Sequence, residues 1–396
     1  MAHDFKTVHR RFDQGSSKWD MTERLGYRDN PDVVPFSVAD MEFVMAEEIV
    51  DAISQTAAGT VLGYANPTEE YKQAVCNWME KRHGWKAKME WILPSHGCVD
   101  ALFTAINTFT NPGDGIMVMS PVYYPFYTGI QYNGRVLVET QLIPEGNSYH
   151  IDFDDFEKKA KDPNTKLLAF CSPHNPVGRV WTMEELQRVA RICLENDILV
   201  VSDEIHFDIV MPGHKHIVFA SVSKEAEQNC IILTAPSKTF NLAGLQTSNI
   251  FCPNEKLRTS FMNSLKTGTA YPKCNILGYA ACKAAYEKCE GWLEECLTVI
   301  DTNRKTIEAF MAKEFPQIRI FDLQATYLLW MDWSGLGLDY KELKRINREE
   351  AGLIFDEGYI FGKAGECFER WNLACPTEYV IKALERMKNV YSKYVK

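Results

Sequence analysis

Three polar side chains stand shortly beyond apolar runs of the chain, and their chemical types could act together. They are the amide of Asn175, the carboxylate of Asp203 and the amine of Lys238. In open α/β sheets ligands bind outside the carboxyl ends of the strands, so side chains placed in this way can converge. A single lysine after a strand is ordinarily a solvated surface amine. An amide and a carboxylate at similar positions favour a shared site instead.

An amide, a carboxylate and an amine together suit pyridoxal 5'-phosphate (PLP). Lys238 can bond to the aldehyde of this cofactor and later act as the base at the substrate Cα. Asp203 can keep the pyridine nitrogen protonated, so that the ring draws electrons from Cα. Asn175 can donate to the phenolic oxygen, and His206 is a second candidate for that contact. Taken singly, Asn175 before a proline is more often a turn residue and Asp203 more often a helix cap.

The phosphate and the ring face of the cofactor also find candidates. A helix is predicted over residues 99–109, and backbone amides at a helix start bind phosphate. Cys98 and Val99 are therefore candidate phosphate ligands, and the hydroxyl of Ser237 stands beside the lysine. Tyr123 can cover the ring face, although an aromatic residue in an apolar cluster is more often plain core.

The chain between residues 92 and 234 alternates short apolar runs with amphipathic segments, which predicts an α/β fold. Asn175 and Asp203 are 28 residues apart and Asp203 and Lys238 are 35, close to the length of a βαβ unit. The pattern Thr182-x-x-Glu185 is a capping box that predicts a helix inside the first of these units. A mostly parallel sheet with helices on both faces follows. The predicted strands are 115–119, 136–139, 167–171, 198–202 and 231–234.

A chain of 396 residues is too long for one compact core, so at least two domains are expected. Beyond residue 276 the pattern becomes helical. It then predicts strands at 318–323 and 327–331, and indicates a smaller α+β domain. We predict a PLP-binding large domain over 50–287, and a small domain formed by 1–49 together with 288–396.

Composition and charge exclude several classes of protein. The formal charge of −10 and the absence of long basic patches argue against nucleic acid as a partner. No apolar run approaches the ~20 residues of a membrane helix, and the first residues are charged where a signal peptide is apolar. The chain is therefore predicted to be cytoplasmic.

Twelve cysteines without any CxxC spacing are interpreted as free thiols in a reducing compartment, and no metal is called for. Cys282, Cys289 and Cys296 recur every seven residues, which predicts the buried stripe of one helix.

Six motifs spread along the chain belong together. They are KWD at 18–20, VADMEF at 38–43, PHNP at 173–176, SDEIH at 202–206, SKTFNLAGL at 237–245 and RWNLACP at 370–376. In these motifs the chain resembles fold-type I PLP enzymes of the class I/II aminotransferase superfamily, and among them the MalY/PatB-type cystathionine β-lyases. The likeness covers almost the whole chain. It implies a three-layer PLP-transferase large domain and a smaller α+β domain.

The resemblance also implies roles for single residues. It places the covalent bond to the cofactor on Lys238, the ring nitrogen on Asp203, the phenolic oxygen on Asn175 and the ring face on Tyr123. It assigns the substrate α-carboxylate to Arg370, whose guanidinium suits a carboxylate because it can bind both oxygens at once.

Tyr64 resembles a tyrosine that reaches across a dimer interface to the PLP phosphate of the neighbouring chain, which implies a homodimer with shared active sites. The chain departs from the family in two places, with His96 where a proline is often found and Cys367 where a glycine is common.

The function predicted on this basis is a PLP-dependent carbon–sulfur β-lyase that acts on a small amino-acid substrate, L-cystathionine or a related cysteine S-conjugate. An aminotransferase on the same scaffold is the first alternative, because both reactions begin with loss of the Cα proton. A protein with a regulatory, protein-binding role on this fold is the second alternative. Intact Lys238, Asp203 and Arg370 argue against a purely binding role.

Overall fold

The computed structural model of the chain describes residues 3–269 and 274–394. The strands in this part of the chain are β1 (Ile92–Ser95), β2 (Gly115–Ser120), β3 (Val136–Gln141), β4 (Ile143–Glu145), β5 (Ser148–His150), β6 (Thr165–Cys171), β7 (Leu199–Asp203), β8 (Cys230–Thr234), β9 (Ser248–Phe251), β10 (Arg319–Ile320), β11 (Leu328–Asp332), β12 (Asp356–Glu357) and β13 (Phe368–Asn372). The helices are α1 (Ser17–Arg24), α2 (Glu47–Gly59), α3 (Glu69–His83), α4 (Cys98–Phe109), α5 (Pro125–Tyr132), α6 (Phe153–Ala160), α7 (Met183–Glu195), α8 (Lys224–Gln228), α9 (Pro236–Thr239), α10 (Glu255–Thr269), α11 (Ile276–Lys288), α12 (Glu290–Glu314), α13 (Tyr340–Arg345) and α14 (Thr377–Tyr391).

The large sheet has seven strands in the order β1-β9-β8-β7-β6-β2-β3. The four pairings from β8 to β3 are parallel, whereas β9 runs antiparallel to both β8 and β1. The expected mostly parallel sheet is therefore confirmed, and all five predicted strands lie in it. The pattern missed β1, which contains Pro94, and β9, which carries two polar residues, because neither is a continuous apolar run.

Both faces of the central strands β2, β6, β7 and β8 are buried, as parallel sheets require. Along β8, Cys230 and Ile232 join one hydrophobic cluster, while Ile231 and Leu233 join another on the opposite face. The capping box at α7 is present as predicted. The Thr182 side chain accepts from the Glu185 amide, and the Glu185 side chain accepts from the Thr182 amide.

The small sheet is antiparallel, with four strands in the order β10-β11-β13-β12. Together with α12, α13 and α14 it forms the α+β part that the sequence predicted. The strand expected over 318–323 is reduced to the two residues of β10, and β13 was not foreseen. The predicted domain boundaries themselves stay a prediction.

The cysteine stripe was assigned to one helix, and this is wrong. Cys282 lies in α11 and Cys296 in α12, while Cys289 sits between the two helices. All three are nevertheless buried, because the two helices follow each other after a break of one residue and both pack on the core. All twelve cysteines are free thiols, as expected.

Residues 36–43 have no regular secondary structure but form hydrogen bonds with distant parts of the chain; they are called the 36–43 segment. The Asn372 amide group donates to the carbonyls of Val38 and Asp40, both at 2.7 Å. The Asn241 side chain accepts from the Met41 amide at 2.9 Å and donates back to the Met41 carbonyl at 3.1 Å. The motifs VADMEF, NLAGL and NLACP therefore meet at one place in the fold.

The motif KWD joins this place through buried charges. Lys18 is only 2% exposed, and its ammonium lies 2.9 Å from Asp40 and 2.8 Å from Glu42. Burial alone would lower the pKa of Lys18, but the two carboxylates raise it above its ordinary value. The indole of Trp19 donates to Glu42 at 3.0 Å, and Arg11 pairs with both carboxylates. These contacts fix the 36–43 segment to α1.

Replacing Lys18 should test this attachment. Removing one partner of a buried ion pair typically costs about 3–5 kcal/mol, and loss of Lys18 would leave two like charges, Asp40 and Glu42, to share Arg11. We therefore expect Lys18→Met to lower the free energy of unfolding by this amount in urea denaturation. The control Lys161→Met removes an exposed pair with Glu157 and should cost no more than about 1 kcal/mol. Equal losses in the two variants would contradict a structural role of the Lys18 network.

Candidate active site

A cavity of about 160 Å³ opens at the carboxyl ends of β6, β7 and β8. The side chains predicted to act together line it, since three neighbouring parallel strands end at the same edge of the sheet. The residues that line the cavity are Ala39, His96, Gly97, Cys98, Val99, Tyr123, Cys171, Asn175, Asp203, Ile205, His206, Ser237, Lys238, Ala243, Gln246, Thr247 and Ser248.

Lys238 enters the cavity from α9, a single turn that begins with Pro236 directly after β8. Its amine donates to the backbone carbonyl of Ala39 at 2.6 Å. Burial lowers the pKa of Lys238 to about 8, against the opposing influence of Asp40 and with a further contribution from the positive charge of Arg370. A substantial fraction of this amine is therefore neutral near pH 8, as a nucleophile or a base needs to be.

Asp203 ends β7 and is 5% exposed. It accepts a hydrogen bond from the Ile205 amide at 3.2 Å. Burial raises the pKa of this carboxyl to about 7, and the amide bond and Lys238 only partly oppose the shift. Among the residues that the structure describes, no cation pairs directly with Asp203. A cationic group in the cavity would satisfy it.

His206 is buried beside Asp203 with its Nδ1 atom lacking a hydrogen-bond partner. Burial lowers the pKa of His206 well below its usual range, and the charges of Lys238 and Arg370 act in the same direction. The imidazole is therefore neutral and carries an unused polar atom. Its ring lies edge-on to Tyr327, with 5.9 Å between the ring centroids.

Arg370 does not line the cavity itself but adjoins it through Asn175. The Arg370 Nη1 atom donates to the Asn175 Oδ1 atom at 2.8 Å, and Nη2 is paired with Asp356. The guanidinium is 3% exposed and lies over the ring of Phe361, 4.6 Å from its centroid. Its Nε atom has no hydrogen-bond partner. A buried arginine with an unused N–H suits an incoming carboxylate.

The start of α4 and the residues around β9 form another part of the cavity lining. The helix begins at Cys98, so the first amides of the helix lie at the cavity wall with Cys98 and Val99. The Cys98 thiol donates to the Ser248 hydroxyl at 3.8 Å, and burial raises its pKa well above the usual value. Ser237 lines the cavity as well. These residues therefore offer neutral donors to an anion.

Tyr123 is half-buried and lines the cavity, but Tyr64 does not reach it. Tyr64 is fully exposed in the loop between α2 and α3, and Val61 and Leu62 beside it are 85% and 61% exposed. Cys367 has a φ of 63°, a left-handed conformation that glycine adopts more readily. His96 lines the cavity, next to the start of α4.

Sequence reasoning missed three contributors to the site. Ala39 supplies the carbonyl that holds Lys238, and the hydroxyl of Tyr327 donates to the same oxygen at 3.0 Å. Asp356 pairs with Arg370. The motif that contains Ala39 was noted but no role was given to its backbone, and nothing in the local sequence marks Tyr327 or Asp356.

These polar groups fit the predicted cofactor. An unpaired carboxylate at Asp203 suits a protonated ring nitrogen, and an unused atom on His206 suits a ring substituent. Lys238 offers an amine with a lowered pKa in the same cavity. Without such a group the cavity would bury three polar side chains with incomplete partners, which is costly.

Comparison with known proteins gives a consistent picture. The family model described as aminotransferase class I and II matches residues 31–387. Cystathionine beta-lyase PatB of Bacillus subtilis is 40% identical over 390 residues, which cover 98% of this chain and 100% of that protein. The crystal structure of cystalysin from Treponema denticola, which contains a pyridoxal 5'-phosphate cofactor, gives a TM-score of 0.97 at 43% identity and covers 99% of this chain and 100% of its own. The PLP-bound C-S lyase from Staphylococcus hominis gives a TM-score of 0.89 at 33% identity, covering 98% of each chain.

The raised pKa of Asp203 makes a prediction about stability. The folded chain holds this carboxyl protonated up to about pH 7, whereas the unfolded chain ionises it near its ordinary pKa, so folding loses stability as the pH rises between these values. The gap corresponds to about 4 kcal/mol above pH 7. Asp203→Asn should remove this loss and stabilise the cofactor-free protein by up to about that amount at pH 8, and far less at pH 4.5.

Urea unfolding of the cofactor-free protein at the two pH values measures this difference. The control Asp29→Asn changes an exposed carboxylate and should leave the free energy of unfolding unaltered. A variant at position 203 that is no more stable than the wild type at pH 8 would show that the carboxylate is compensated in the fold.

Proposed function

The chain belongs to the class I and II aminotransferase family, and we propose that within it the protein is a PLP-dependent carbon–sulfur β-lyase. Its substrate is L-cystathionine or a related cysteine S-conjugate. The enzyme cleaves this substrate, with the consumption of one water molecule, to a thiol, pyruvate and ammonia. The observation that carries the proposal is the meeting of Lys238, Asp203 and Asn175 in one buried cavity beside Arg370. Elimination rather than transamination is supported by PatB, a cystathionine β-lyase, and by the Staphylococcus C-S lyase.

The cavity residues divide the work of holding the cofactor. Lys238 would bond to its aldehyde, and Asp203 would pair with its ring nitrogen. The Asn175 amide oxygen already accepts from Arg370, so its NH₂ group is the part that would donate to the phenolic oxygen. When bound, PLP supplies a cationic ring that withdraws electrons from the substrate Cα.

The phosphate and the ring face complete the binding site. The amides of Cys98 and Val99 and the hydroxyl of Ser237 would hold the phosphate. Tyr123 would lie on the ring face, and His206, which is neutral, would contact the ring without adding charge.

Arg370 and Lys238 act directly on the substrate. Arg370 binds the α-carboxylate, using N–H groups that Asn175 and Asp356 leave unused. Lys238 removes the proton from Cα, since its lowered pKa makes a neutral amine available near pH 8. The electron pair left at Cα then forms a double bond to Cβ while the bond between Cβ and sulfur breaks, and the thiolate leaves with the electrons of that bond.

We also propose a homodimer in which each active site uses two chains. The exposed apolar residues Val61 and Leu62 support this, because a loop of this kind favours burial against a partner. Tyr64 in the same loop would reach the phosphate site of the neighbouring chain.

We also propose two domains, a large one over 50–287 and a small one formed by 1–49 with 288–396. The separate large and small sheets support this division.

A cytoplasmic location is proposed as well, and the twelve free thiols support it. In residues 3–269 and 274–394 the structure contains no helix of the length and apolar character that crossing a membrane demands.

Pyruvate release from L-cystathionine by the PLP-loaded protein, without any keto acid, tests the lyase proposal. We expect steady release over many turnovers, and its loss in Lys238→Ala because the variant lacks the base. The control Lys224→Ala removes an exposed lysine and should keep the wild-type rate. If product forms only when 2-oxoglutarate is added, the protein is an aminotransferase.

Mixed dimers test the shared active site. Lys238→Ala and Tyr64→Ala chains, each of low activity alone, should regain about a quarter of the wild-type activity when unfolded together and refolded as an equal mixture. Half of the dimers are then hybrids, and each hybrid has one site with both residues intact. No recovery in a mixture that contains hybrid dimers would show that Tyr64 does not serve the partner's site.

A further inference from the structure

Asp356 stands at the first residue of β12, directly opposite Arg370 of β13 in the small sheet. One of its oxygens, Oδ2, receives two donors. The first is Nη2 of Arg370, and the second is the backbone amide of Val38 at 2.9 Å. Val38 is 318 residues away in the sequence. A single carboxylate oxygen therefore joins the substrate-binding arginine to the 36–43 segment.

Val38 adopts a backbone conformation that needs such support. Its φ is 55°, in the left-handed region that a β-branched residue strongly disfavours. Hydrogen bonds hold both sides of the residue, since its amide donates to Asp356 and its carbonyl accepts from Asn372 at 2.7 Å. Strained residues persist only where their surroundings fix them, and they cluster at functional sites.

The residue after Val38 carries the acceptor for the catalytic amine. The Ala39 carbonyl accepts from Lys238 at 2.6 Å and from Tyr327 at 3.0 Å. A short path thus leads from Arg370 through Asp356 and Val38 to the oxygen that holds Lys238. Arg370 must bind the substrate carboxylate and Lys238 must reach the Cα proton. This path fixes the positions of these two side chains relative to each other.

We propose that Asp356 is a positioning residue for removal of the Cα proton. It orients Arg370 and, through the Val38 amide, places the Ala39 carbonyl that directs the Lys238 amine. The proposal rests on the proposed function only in the shared first step, proton removal from Cα, which a lyase and an aminotransferase have in common.

Positioning and simple charge pairing predict different results when the charge of Asp356 is removed. By Coulomb attraction alone, Arg370 without its partner would bind a carboxylate at least as well as before. Misplacement of the arginine relative to Lys238 would instead slow the chemical step, because small errors in geometry cost large factors in rate. Binding and proton removal must therefore be measured separately.

The variants are Asp356→Asn, which keeps the shape of the side chain but removes its charge, and Asp356→Ala, which removes both side-chain oxygens. Asp332→Asn is the matched control, since Asp332 lies on the same small sheet and accepts from the Ser334 amide, a bond that an asparagine can keep. Exchange of the Cα hydrogen of L-alanine in D₂O, at saturating alanine, measures proton removal by the PLP-loaded protein. Binding of propionate, a carboxylate without an amino group, measures occupancy of Arg370.

Amide hydrogen exchange of the cofactor-free protein, read by mass spectrometry, provides a measurement independent of activity. We expect Asp356→Asn to slow Cα exchange at least about tenfold while the propionate Kd rises no more than about threefold. Faster amide exchange should be confined to the peptide that covers residues 36–43. Asp356→Ala should show the same pattern more strongly, and Asp332→Asn should match the wild type.

Three results would overturn the proposal. Cα exchange by Asp356→Asn within about twofold of the wild type is one, and a loss of rate fully explained by weaker propionate binding is another. The third is faster amide exchange spread over the whole chain, which would indicate general destabilisation.

Failure of the proposed function gives a different result. A wild-type protein that exchanges the alanine Cα hydrogen but releases no pyruvate from L-cystathionine refutes the lyase assignment, and the Asp356 comparison still stands. A wild-type protein that does neither refutes both proposals.

Discussion

The cost of burying charge governs the structure around the cavity. Asp203 is buried and Lys238 is half-buried in the cavity, and the protein itself compensates the charge of each only in part. Partial compensation leaves the lysine close to neutrality and the aspartate close to protonation in the absence of a ligand. A site built in this way prefers to contain a polar, charged molecule, because such a molecule supplies the missing partners. The incompletely paired charges lower the stability of the fold without a ligand, and the same charges favour binding of a polar ligand.

The remaining charges of the site are treated in the opposite way. Lys18, Asp40, Glu42 and Arg11 form a network in which every charge has an opposite partner within hydrogen-bonding distance. This network holds the 36–43 segment, and the segment in turn holds the Lys238 amine. A buried charge is costly unless it has an opposite partner. The network that holds the 36–43 segment meets this requirement completely, whereas the charges in the cavity meet it only in part.

The sequence was sufficient to predict the parts of the site that depend on local pattern. The apolar runs of β6, β7 and β8 and the capping box of α7 are visible in the chain, and they place Asn175, Asp203 and Lys238 at one edge of the sheet. The strands β9 and β13 were missed, since their formation depends on pairing with distant strands and not on a continuous apolar run. The contacts of Asp356 could not be predicted for the same reason, because its partners Val38 and Arg370 lie 318 and 14 residues away in the sequence. The heptad of cysteines misled because periodic burial can continue across the junction of two helices.

The contact between Lys238 and a main-chain carbonyl has a consequence for sequence variation. An acceptor provided by the backbone does not depend on which side chain residue 39 carries, so this position can change in evolution without loss of the bond. The pressure falls instead on residues that fix the path of the backbone, such as Asn372 and Asn241, which lie far from position 39 in the chain. This geometry implies that related chains vary at position 39, which makes the contact, but keep the residues that hold its backbone in place.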